Sequence, residues 1–301
     1  VSRERLALIV AAVVGVQVGA CIAGSRWLVH DLGPVPLTFL RYAIGLASLL
    51  PFLRGAGRTL LRLSAREVVA VALLGITQFG LLIALLNLGL AHVGAGLGAL
   101  LFATFPLMTM TIATWAGRER FDGALAAGVL LSIAGVGLAL GVGPPTFGAR
   151  DLAIGAACVL ASALCGAICS VLYRPLLQRH PMLPLGALAM AAAVLVLAPV
   201  AWATGLPMRA AALGPAQWLV VAAVGLSSGV AYWLWLWALK HTAPTKATAF
   251  LALSPVTAAL VGWGVLGESV GWGMVAGVAC ILAGLALAAT RQVERAEDPL
   301  L

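Results

Sequence analysis

Charge is scarce in this sequence. Asp, Glu, Lys and Arg supply only 9% of its 301 residues, against roughly 25% in a soluble domain, so the chain cannot cover a globule of its own with water-facing surface. Lysine occurs only at Lys240 and Lys246, and no GxxxxGK[ST] run is present, which excludes a P-loop pump. There is no HExxH, and no aspartate pair or Ser–His pair lies within an apolar run. An intramembrane enzyme would therefore lack its chemical centre. The five cysteines (Cys21, Cys158, Cys165, Cys169, Cys280) fall inside apolar runs without metal-ligand spacing and read as small packing residues. His30, His92, His180 and His241 fall at loops and helix ends, and no metal or cofactor is expected. The +8 balance comes from basic residues dispersed among short loops, so nucleic acid is not an expected partner.

Apolar length is what the sequence has in abundance. Hydrophobic residues make up 62% of the chain, in runs that match a hydrocarbon core of about 30 Å. Lipid offers the backbone no partners, so each run is expected to be a helix with the bilayer as its surroundings. Apolar runs read against turn signals predict helices near 6–28, 36–54, 67–90, 93–116, 122–142, 150–174, 183–204, 215–239, 244–266 and 270–290. Leu32-Gly33-Pro34-Val35-Pro36, Gly143-Pro144-Pro145, His180-Pro181 and Gly205-Leu206-Pro207 combine free φ with a missing N–H donor and end helices. The first run follows Arg3 and Arg5 and carries Ala20, Ala23 and Gly24, a pattern shared with cleavable signal peptides. The internal repeat makes it part of the fold instead.

A shift of 149 residues superposes Gly80 on Gly229, His92 on His241, Pro106 on Pro255, Glu119 on Glu268, Gly128 on Gly277 and Gly135 on Gly284. Upstream, a shift of 148 matches Cys21 with Cys169, Arg26 with Arg174, Pro36 with Pro184 and Pro51 with Pro199. The chain is thus a duplication, with one half over 1–143, the other over 144–291 and a tail at 292–301. An odd number of helices per half makes the repeat an inverted one. With cytoplasmic termini, fourteen of the eighteen basic residues fall on inner segments and three, Arg26, Arg150 and Arg209, on outer loops. That bias follows the positive-inside rule. A multi-pass protein of a bacterial inner membrane with both termini inside is expected.

A proline in the middle of the fourth and ninth predicted helices (Pro106, Pro255) is followed by a glutamate (Glu119, Glu268). Glycine-bearing helices come next, with Gly128-x6-Gly135 and Gly277-x6-Gly284. In this pattern the chain resembles the drug/metabolite transporter superfamily, in its ten-helix branch with two EamA repeats, over roughly residues 6–290. The resemblance implies an all-α membrane protein of ten transmembrane helices. Helices 1–4 and 6–9 would surround a central cavity, helices 5 and 10 would be peripheral, and access would alternate by rocking of the halves. Its aromatic and neutral amino acid exporters are the favoured subgroup. The sequence has Val14-Gly15-Val16-Gln17 where many members carry a first-helix tryptophan.

Arg41 is the one charged residue well inside a predicted span, a costly placement. It either holds a substrate carboxylate or snorkels to headgroups. The amides Gln17 and Gln78 and the hydroxyl Ser162 are expected to face inward, to bind solute or to bridge helices. Pro106 and Pro255 each remove a backbone bond, freeing a carbonyl near Phe102 and Leu251. The two kinks are a candidate gating and substrate locus, with Phe102 and Ser254 beside them, or else they shape packing. At helical spacing Tyr232 and Trp235 can look inward while Trp233 and Trp237 face lipid, although an interfacial aromatic belt is the default reading. All ten carboxylates lie in loops, tails or helix ends, which favours facilitated diffusion or exchange over proton coupling. The expected function is export of small neutral metabolites, foremost amino acids including aromatic ones, by a monomer. The alternative cargo is lipophilic drugs or other metabolites.

Overall fold

The computed structural model describes residues 3–53, 63–117, 148–242, 250–280 and 282–284, together with Ala127, Gly128, Leu130, Leu131, Ala134, Gly135, Leu138, Ala247 and Thr248. Among them all regular structure is helical, and seven helices are long and apolar enough to cross a membrane. These are α1 (Arg3–Leu32), α2 (Pro34–Leu53), α3 (Ala65–His92), α4 (Ala95–Trp115), α5 (Ala149–Arg179), α6 (Met182–Ala203) and α7 (Pro215–His241). Two shorter apolar helices follow, α8 (Ser254–Leu266) and α9 (Trp272–Gly284). The helix expected near 122–142 falls largely outside the described residues, so the predicted count of ten is not reached among them.

Local chemistry sets the helix ends. Gly33 takes φ 80°, and Pro34 then opens α2 with its ring already at helical φ. Ser64 and Glu67 form a reciprocal capping box at the start of α3. Gly267 at φ 68° turns the chain out of α8. Two boundaries depart from expectation. Helix α5 runs through Pro175 to Arg179, because one lost backbone bond costs less than leaving several groups unpaired in an apolar surrounding. Helix α1 continues to Leu32, which places Arg26 and His30 on a helix and not in a loop.

Contacts fix the relative directions of the helices. Near the C-terminal end of α1, Arg26 donates to the Leu90 carbonyl near the C-terminal end of α3 at 2.7 Å, so α1 and α3 run parallel. Helix α5 lies antiparallel to α3, tied at one end by Glu67–His180 and at the other by His92–Asp151, each at 2.9 Å. Phe250, in the turn before α8, and Ser254, at its start, meet Gly15 and Gly19 in turn, and Glu268 just past its end lies 3.6 Å from Arg26, so α8 runs parallel to α1. In the first repeat the helix corresponding to α8 is α4, which starts where α3 ends and returns. The second half therefore enters with opposite polarity, as an inverted repeat requires.

Candidate functional site

A cavity of about 100 Å³ lies where α1 to α4 meet α7 and the turn preceding α8. The first helix contributes Val14, Gln17, Val18 and Ile22, and α2 contributes Arg41 and Tyr42. From α3 come Gln78, Phe79, Leu82, Ile83 and Leu86, and from α4 Phe102 and Phe105. Ser228, Ala231, Tyr232 and Trp235 of α7 and Leu251 complete it. Among the described residues no carboxylate lines this space, and Arg41 is their sole formal charge at it.

Arg41 is only 7% exposed. Its Nε donates to Ser228 Oγ at 2.7 Å, and Ser228 Oγ donates in turn to the Val224 carbonyl. The guanidinium carbon stands 5.5 Å from the centre of the Tyr42 ring, within cation–π range. Among the described residues no carboxylate pairs with Arg41, and the other N–H donors of its planar fork have no partner. Snorkelling is thus not what the structure shows. The side chain is held inside, with its donors available to the cavity.

The neighbouring amides are set differently. Gln17 Nε2 donates to Cys21 Sγ at 2.9 Å and to Ser227 Oγ at 3.0 Å, which ties α1 to α7. Gln78 has no hydrogen-bond partner among the described residues and lies, with Phe79, in a π-helical stretch, Ile76–Leu81. Such a stretch rotates side chains away from their α-helical directions and recurs at functional sites. Phe79 sits between Tyr42, at 4.7 Å between centroids, and Tyr232, at 4.4 Å edge-on. Phe102 and Phe105 pack together at 5.5 Å. The cavity is therefore walled by aromatic rings around one cation.

The structure brings together Gln17, Arg41, Gln78, Phe102, Tyr232 and Trp235. Trp233 points away, at 41% exposure, and Trp237 stacks on His241 at 4.4 Å. Ser162 is not at the cavity. It is fully buried on α5 and donates to the Val159 carbonyl at 2.9 Å, its position being covered by neighbouring packing. Ser254 is not there either, because it opens α8 fully buried against Gly19 of α1. Pro106 and Pro255 are not among the lining residues. The residues four positions before them, Phe102 and Leu251, both reach the cavity. Helices α5 and α6 line none of the cavity, unlike the corresponding helices 6 and 7 implied by the resemblance.

Tyr42, Phe79 and Ser228 had escaped the sequence reading. Ser228 was findable, lying four residues before Tyr232 and seven before Trp235 on one helical face. Tyr42 adjoins the lone buried cation. Phe79 carried no signal, because nothing in Ile76–Leu81 announces a π turn.

A profile of the "EamA-like transporter family" matches this chain twice, over residues 5–141 and 153–290. The chain is 30% identical over 210 residues to a "Probable terminal-alkyne amino-acid exporter" of Streptantibioticus cattleyicolor, spanning 68% of this chain and 67% of that protein. A solved structure described as "Crystal structure of protein" superposes with a TM-score of 0.68 at 22% identity, over 96% of this chain and 99% of its own. That likeness is one of fold. With two family matches covering nearly its whole length, the chain belongs to the EamA-like transporter family of the drug/metabolite transporter superfamily and is a multi-pass membrane transporter.

Proposed function

We propose that this transporter exports small neutral amino acids, holding the solute carboxylate on Arg41 and the solute side chain against Tyr42, Phe79, Phe102, Tyr232 and Trp235. The observation that carries this reading is a buried guanidinium with unengaged donors inside an aromatic cavity that no acid lines. A planar fork of donors matches a carboxylate in bidentate geometry, and the rings offer broad apolar faces to a side chain. A relative described as an amino-acid exporter points the same way. Because no carboxylate among the described residues faces the cavity, transport runs by facilitated diffusion or exchange, by alternating access of the halves 1–143 and 144–291. The protein acts as a monomer of a bacterial inner membrane with both termini cytoplasmic.

The test is counterflow of a labelled neutral amino acid in proteoliposomes, challenged with matched free acids, methyl esters and decarboxylated amines. Free acids compete, and their esters and amines compete at least tenfold less well. Equal competition by the amines or by lipophilic drugs would overturn the carboxylate assignment and favour drug export. Flux that follows an imposed pH gradient and vanishes when it collapses would overturn the uncoupled mechanism.

A further inference from the structure

Behind the cavity lining lies a second layer of packing. Helix α5 contributes no lining residue, but Gly166 lies directly behind the Phe105 ring. A Cβ built on Gly166 would stand 2.8 Å from Phe105 Cδ2, closer still to Cε2, and 2.9 Å from Leu82 Cδ1. Both Phe105 and Leu82 line the cavity. On α6, a Cβ on Gly186 would stand 3.1 Å from Tyr232 Cε1, and Tyr232 is also a lining ring. Ordinary contact for such an atom begins near 3.4 Å, so a methyl at 166 forces a larger displacement than one at 186.

Protein interiors are packed as densely as organic crystals, so a displaced ring moves into the available void, here a cavity of only about 100 Å³. We infer that Gly166, and to a smaller degree Gly186, are specificity-determining residues: each is a niche that keeps a lining ring retracted and thereby fixes the largest solute admitted. This rests on the reading of the cavity as the solute site. The repeat adds an independent observation. The counterpart of Gly166 at the 148-residue offset is Val18, which itself lines the cavity. Position 166 is thus where a cavity-facing side chain stands in the other half, and here Phe105 takes its place.

The experiment measures inhibition constants in full-length proteoliposomes for neutral amino acids graded from alanine-sized to tryptophan-sized and for lipophilic amines graded the same way. Gly166→Ala raises the large-to-small ratio of inhibition constants about tenfold or more, the discrimination that a methylene carries in an apolar pocket, and Gly186→Ala raises it less. Phe105→Leu lowers the ratio, and the Gly166→Ala/Phe105→Leu pair returns it towards that of the wild type. Should Gly166→Ala fail to fold, Gly186→Ala and Phe105→Leu still decide between rise and fall. Equal weakening of large and small solutes by the glycine variants would overturn the niche while leaving the carboxylate reading intact. Size-graded inhibition by amines alone would uphold the niche and refute the amino acid cargo.

Discussion

Replacing Arg41 by glutamine separates a structural arginine from a solute-binding one. A guanidinium at this depth costs about 2.5–3.5 kcal/mol on insertion scales. Against that, a charge-assisted hydrogen bond such as that to Ser228 contributes about 1.5–3 kcal/mol. The Tyr42 ring 5.5 Å away adds about 0.5–2 kcal/mol. The terms nearly cancel in the empty transporter, so Arg41→Gln is expected to leave thermal stability in detergent within about 1 kcal/mol of the wild type by the same balance. Binding should respond differently. Truncating one partner of a buried charge pair costs about 2–5 kcal/mol, which is roughly a 30-fold to several-thousandfold loss of affinity for a carboxylate-bearing solute. Arg41→Lys keeps the charge but loses the fork and the Nε bond, and should fall between. Stability and inhibition constants are to be measured on the same preparations. A large loss of stability with unchanged inhibition constants would show that Arg41 braces α2 against α7 and binds nothing.

Ser228→Ala leaves Arg41 Nε without its acceptor and should weaken amino acid binding about tenfold by loosening the fork, read as a rise in inhibition constant without loss of expression. Glu268 accepts the Ala95 N–H with both oxygens, at 3.0 and 2.9 Å, and so caps α4 from the other repeat. Glu268→Ala should lower unfolding stability by about 0.5–2 kcal/mol and Glu268→Gln by less, because an amide oxygen still accepts; equal losses would mean that the Arg26 pair matters more than the cap. At Gly75 an added Cβ would stand 2.5 Å from Ala189 Cα and closer to its carbonyl oxygen. That neighbour is backbone and cannot rotate aside, so Gly75→Ala should cost about 1–3 kcal/mol. Gly264→Ala meets nothing within 4 Å and serves as the neutral control in the same melting assay.

The spans were legible because lipid makes helical hydrogen bonding obligatory, so apolar length alone located α1 to α7 to within a few residues. Arg41 was legible for a related reason, since a charge deep in a span needs a purpose. The split of Tyr232 and Trp235 from Trp233 followed from helical periodicity. Pro175 misled because the usual penalty for an interior proline is set against water, which takes up freed carbonyls; within apolar surroundings the helix persists. Phe79 could not be aimed from the sequence, because the π turn that carries it leaves no compositional trace, whereas the polarity of Gln78 alone pointed it inward. Ser162 lies off the cavity because a hydroxyl in a helix can satisfy itself on a carbonyl three or four residues back, as it does on Val159, while Ser254 is packed against Gly19 of α1 with its hydroxyl unpaired among the described residues. A polar residue in a span is then by itself no guide to a cavity.

The duplication explains why the cavity is lopsided. At the 149-residue offset Phe79, Leu82, Ile83, Leu86 and Phe102 correspond to Ser228, Ala231, Tyr232, Trp235 and Leu251, and all ten line the cavity. At the 148-residue offset the α1 lining Val14, Gln17, Val18 and Ile22 corresponds to Ser162, Cys165, Gly166 and Ser170 on α5, none of which lines it. The difference lies in what stands between. Phe105 corresponds to Ser254. The small Ser254 lets α8 close on Gly19 beside the lining face of α1, while the Phe105 ring fills the niche at Gly166 and screens α5. Two copies of one scaffold thus present equivalent positions with unequal packing behind them, and the polar lining groups Gln17, Arg41 and Gln78 come from the first repeat while Ser228 and Tyr232 come from α7 of the second. An asymmetric solute with a carboxylate at one end and an apolar side chain at the other needs such a site, and a symmetric scaffold acquires it by unequal packing behind the rings.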